Sequence, residues 1–145
     1  MGLFEKILGG QKKDYPPLDL SSPTGQAVQQ VKGALEMITK QINDPMEVVL
    51  GSDKTFVFVG KPPQQFGMLW IKGGEVHNFT KLAKEKNIPH IQFQSLSEQL
   101  REVYKKNASE EKFSTKVANK TVTVMTSDSL GMEVNRIVEN LDGGS

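Results

Sequence analysis

The sequence contains no cysteine. Disulfides, thiol catalysis, zinc–thiolate sites and cysteine-ligated iron–sulfur clusters are thereby excluded, and the composition fits a reducing cytosol. No run of about eighteen apolar residues occurs, so no segment reads as a membrane span. The apolar residues of the first ten are broken by Glu5 and Lys6, and no signal-peptide core follows. The expected localisation is cytoplasmic. An excess of one charge is missing too: 18 basic and 17 acidic residues leave a net charge of +1. Nucleic-acid binding calls for a clustered basic excess and is not expected.

Catalytic signatures are equally scarce. The two histidines, His77 and His90, stand in no HExxH or HxH spacing. No GxSxG nucleophile elbow is present. Gly-Gly occurs at 9–10, 73–74 and 143–144, each time without the context of a phosphate-binding loop. No catalytic residue, metal ligand or cofactor is therefore expected.

What is present describes a globular chain. Its 145 residues suffice for one domain that buries its own core without staples. Residues 1–22 read as an amphipathic segment and linker, 23–141 as a single α+β domain and 142–145 as a frayed tail. Ser22 and Pro23 are a cap and a first helical residue. Val28, Val31, Leu35, Ile38 and Ile42 then repeat at helical spacing, predicting one helix that ends at Asn43-Asp44-Pro45.

Strands are predicted over 46–50 and 55–60, around a four-residue turn, and over 68–72 and 75–79, around Gly73-Gly74. The segment 61–67 reads as a loop, because paired prolines do not sit inside a ladder. A short helix is expected over 80–87. A second should open at the capping box Ser95-Leu-Ser-Glu98 and run to about Lys106. A third hairpin, 112–118 with 121–126, is expected to turn at Asn119-Lys120. The last helix, about 129–141, carries the stripe Leu130, Val134, Ile137, Val138 and Leu141, with Ser127 or Asp128 as its cap.

This order predicts a two-layer α+β fold. Its mostly antiparallel sheet has five or six strands, the N- and C-terminal helices pack on one face, and two short helices lie in the mid-chain connection. At the level of layout it resembles the profilin-like and PAS-like sensor and adaptor architectures.

Two features are candidates for function. Lys61, Gln65, Phe66, Trp70 and His77 combine a proline loop with large aromatics at a strand end, a composition suited to binding. On the alternative reading, Trp70 fills the core and the prolines stiffen a connection. Strand alternation brings Trp70 and His77 near one another across the Gly-Gly turn. The second feature is the amphipathic set Leu3, Phe4, Ile7 and Leu8, suited to a peripheral membrane contact or a partner; Lys6 breaks the myristoylation pattern.

The leading expectation is a non-enzymatic binding or regulatory module of the bacterial cytoplasmic kind, with a protein partner or a homodimer. The alternatives are a small-molecule sensor, with its pocket between the sheet and the two middle helices, and a small enzyme using His77. A deep pocket lined by Trp70 and His77 would favour a ligand, and an exposed apolar patch a partner.

Overall fold

The computed structural model describes residues 15–51, 53–62, 64–107 and 111–142. Leu3, Phe4, Ile7 and Leu8 lie outside the described residues. In chain order the elements are α1 (Pro23–Gln30), α2 (Lys32–Gln41), β1 (Met46–Leu50), β2 (Thr55–Lys61), β3 (Gln65–Lys72), β4 (Glu75–Asn78), α3 (Phe79–Glu85), α4 (His90–Asn107), β5 (Lys112–Val117), β6 (Lys120–Met125) and α5 (Asp128–Asp142). The six strands form one sheet in the order β4-β3-β2-β1-β6-β5. Every pairing is antiparallel except β1 with β6. The α+β class and the mostly antiparallel sheet are as expected.

Helix placement is not. The N- and C-terminal helices lie on opposite faces, making three layers rather than two. One core joins Val28, Leu35 and Ile38 of α1 and α2 to Val48, Val57, Leu69, Ile71, Val122 and Val124 of the sheet. The other joins Val49, Phe56, Phe58, Met68, Trp70 and Met125 to α3, α4 and α5 through Phe79, Leu100, Leu130 and Val134. The reason lies in the strands. Phe56, Val57 and Phe58 are consecutive and fully buried, so apolar groups leave both sides of the sheet and both sides need cover.

Local differences have local causes. The first helix is two helices, because Val31 leaves helical geometry (φ −109°, ψ 16°). Its N–H bonds Val28 O at 3.1 Å, a tighter turn than the α-helical one. Strand β3 begins at Gln65, which pairs with Lys61, so the loop expected over 61–67 shrinks to a short turn. Helix α4 starts at His90 and runs straight through the expected capping box. Ser127 caps α5, its Oγ accepting the Leu130 N–H at 3.2 Å.

The β5–β6 turn falls one residue earlier than expected. Val117 pairs with Lys120, leaving Ala118 and Asn119 as the loop, both at positive φ (51° and 69°). That is the primed turn that suits hairpin twist, and alanine is a poor residue for it. Ala118→Gly is expected to raise stability by about 0.5–1 kcal/mol, since relief of left-handed strain exceeds the entropy glycine adds to the unfolded chain. Urea unfolding midpoints of the two proteins check this.

The stretch expected as a linker joins the sheet in part. Leu18 N–H donates to Ser114 O (2.8 Å) and Ser114 N–H to Pro16 O (2.9 Å), along the outer side of β5.

Candidate binding edge

Gly73 and Gly74 both adopt positive φ (58° and 81°), so Lys72 pairs with Glu75 and the register of β3 and β4 follows. Trp70 thereby sits opposite His77, and their rings stack at 5.7 Å and 16°. Trp70 is 2% exposed, while the His77 side chain is 41% exposed. The tryptophan is a floor beneath the histidine. Phe66 lies on the same face of β3 and packs on Phe58 at 5.5 Å. Lys61 and Gln65 pair with one another, but alternation points them to the opposite face. The five residues singled out in the sequence thus do not form one site. His90 is exposed at the start of α4.

The strand that carries His77 is itself the open feature. In an antiparallel ladder, residues alternately turn their N–H and C=O toward the partner strand and away from it. The pair closing the two-residue turn, Lys72 with Glu75, faces inward, and Trp70 with His77 does the same. Val76 and Asn78 therefore direct backbone groups away from β3. Beyond Asn78 the chain enters α3, whose N-cap it is, accepting the Lys81 N–H at 3.1 Å. Among the described residues no segment lies along this side of β4. On the opposite edge of the sheet, Tyr15–Leu18 bridges β5 at Ser114.

An open groove of about 580 Å³ follows the β4 edge, lined by Met37, Val76, His77, Lys81, Leu82 and Glu85 among others. Met37 is 57% exposed and Val76 38%, which makes an apolar shoulder. Neither residue stands out in the sequence. The readable signal was the Gly-Gly turn followed by a return strand of only four residues.

A smaller cleft of about 170 Å³ lies between β3 and the middle helices. Phe66, Met68, Phe79, Phe93 and Leu100 form its walls. Arg101 stands at its mouth, donating to Gln64 O at 3.0 Å and paired with Glu98. The cleft is below the roughly 300 Å³ at which pockets begin to enclose drug-sized ligands. Trp70 lines neither hollow.

Ionisable groups converge at one buried place the sequence did not mark. Glu47 of β1, 9% exposed, accepts the Tyr104 hydroxyl of α4 and pairs with Lys112 Nζ of β5 at 2.9 Å. Lys112 also lies 5.8 Å from the Tyr15 ring centroid. The one available clue was a carboxylate inside an otherwise apolar strand, Met46-Glu47-Val48-Val49-Leu50. The network ties α4, β5 and the 15–18 segment to the sheet. A buried cation, Lys54, donates to Asn135 (2.9 Å) and Glu139 (3.1 Å) and ties the β1–β2 turn to α5.

The Tyr104 hydroxyl is held well above the ordinary tyrosine range. Burial is the main cause, followed by its bond to Glu47, the charge of that carboxylate and the nearby Tyr15. Above the unfolded pKa of about 10, the unfolded chain loses a proton that the folded chain keeps. Stability is therefore untouched by this group below about pH 10, and falls by up to about 1.4 kcal/mol per pH unit above it. Urea unfolding between about pH 9 and about pH 11 should show a steeper decline in the wild type than in Tyr104→Phe.

Among the described residues, no group of three or more histidine, aspartate or glutamate side chains is placed to hold a metal ion. No helix among them is long and apolar enough to cross a membrane. No protein-family model, curated protein or solved structure matches the chain.

Proposed function

We propose that this protein is a non-enzymatic, cytoplasmic protein-binding module of regulatory type, which takes its partner as an added strand along β4. The observation that carries this reading is the contrast between the two sheet edges. The chain's own Tyr15–Leu18 pairs with β5 at Ser114, whereas β4 presents outward backbone groups beside the exposed Met37 and Val76. Strand addition draws affinity from main-chain hydrogen bonds and specificity from flanking side-chain contacts. The Trp70–His77 stack stiffens the strand that receives the partner.

The test uses a labelled extended peptide of alternating threonine and valine, followed by fluorescence anisotropy. Val76→Pro removes an outward N–H and leaves the β3 ladder intact. It should weaken the complex more than about tenfold; equal binding by the folded variant overturns the reading.

A second reading, a small-molecule sensor, rests on the cleft between β3 and the middle helices. A small aromatic fragment would raise the melting temperature of the wild type and not of the cleft-filling Ser97→Phe variant. No shift in either protein removes it.

A further inference from the structure

We infer that the strand added to β4 is β4 of a second copy, so that two six-stranded sheets join into one across a twofold axis. The inference rests on the edge reading above and names its occupant. A twofold axis perpendicular to a sheet preserves its faces, so directly opposed residues must share a face. Residues of equal parity in β4 then oppose one another, which leaves two short registers. One sets Val76 against Val76 of the second copy and Glu75 against its His77. The other sets His77 against His77.

The first register matches hydrogen-bonding groups and shape. Glu75 and His77 lie on one face of β4, with Nε2 and Oε1 already 3.9 Å apart within one chain. Across the axis each Glu75 meets the other copy's His77, twice by symmetry. An imidazole facing a carboxylate on one face can hydrogen-bond it and supports pairing, whereas two like groups do not. Val76, on the other face, meets its own equivalent beside Met37, closing an apolar strip over the axis. The outward N–H and C=O of Val76 are those a hydrogen-bonded central pair requires. β4 is short and carries Glu75, but it contains no proline, no lysine and no residue at positive φ, devices that commonly block edge pairing.

The absence of native cysteine makes the register directly measurable. A hydrogen-bonded antiparallel pair has its Cα atoms about 5.5 Å apart, within disulfide reach. Val76→Cys should therefore cross-link to a covalent dimer on mild oxidation, and His77→Cys should not. Sedimentation equilibrium should show a concentration-dependent dimer. His77→Glu, which opposes like charges twice, should weaken it more than about tenfold, and Glu75→Arg combined with His77→Glu should restore it. Far-UV circular dichroism confirms that each variant is folded.

Failure of Val76→Cys to cross-link, or a wild type that stays monomeric at the highest concentrations, overturns the inference. The peptide probe separates the two levels. A monomer that still binds the threonine–valine peptide loses only the self-pairing; a monomer that binds no peptide loses the edge reading as well.

Discussion

Lys112→Met is expected to destabilise the protein by about 3–5 kcal/mol. Glu47 sits under α4 and between β2 and β6, and pairs with Phe58 and Thr123 across the sheet. Water cannot replace the ammonium group there at low cost. Removing Lys112 leaves a carboxylate whose nearby donor is the Tyr104 hydroxyl. A buried charge deprived of its partner costs far more than the pair had contributed, because desolvation of the remaining ion is no longer offset.

The companion variant makes the argument specific. Replacing all three groups, as Glu47→Met, Tyr104→Phe and Lys112→Met together, removes every charge and donor while keeping volume. Its stability should lie within about 1 kcal/mol of the wild type or above it. Urea unfolding checks both proteins: a lowered midpoint at unchanged slope for the single variant, and recovery of the midpoint for the triple. A single variant that loses less than about 1 kcal/mol would mean that Glu47 is solvated.

How far the fold can be read in the sequence depends on the range of the interaction that decides each feature. The Gly73-Gly74 hairpin is legible because positive φ at two adjacent residues is a local demand that glycine meets. The stripe from Val28 to Ile42 is legible for the same reason, since helical periodicity is local. The break at Val31 leaves the stripe on one face and so leaves no trace in the pattern. The capping box at Ser95 misleads because a cap is one local option. The apolar contacts of Phe93 and Leu96 with the second core favour helix on both sides of it.

Layer assignment is less local still. Periodicity tells which side of a helix is buried, but not which face of the sheet receives it. A clue was present in Thr55–Gly60, whose residues are apolar on both sides, and it called for cover on both faces. The candidate site shows the same division. The nearness of Trp70 and His77 follows from a two-residue turn, whereas Met37 reaches the β4 groove from a different element altogether. Glu47, Tyr104 and Lys112 meet only through the sheet order, in which β6 comes to lie beside β1 and carries β5 with it.

The three-layer arrangement has its own energetic signature, and Phe58 exposes it. Phe58→Ala is expected to cost about 3–5 kcal/mol. The side chain is fully buried on a central strand, its ring packing on Phe66 and, at 5.4 Å, edge-on to Tyr104. The backbone of β2 is held on both sides by β1 and β3, so the site cannot collapse to fill the void. Milder changes then show which residues share a core. Phe58→Leu with Phe66→Leu should couple by about 0.5–1.5 kcal/mol, since the two rings touch. Phe58→Leu with Ile38→Val should be additive to within about 0.5 kcal/mol, because the sheet separates α2 from the Phe58 face. Strong coupling of Phe58 to Ile38 would place α2 on the same face as α5. That result would restore the two-layer arrangement and contradict the structure.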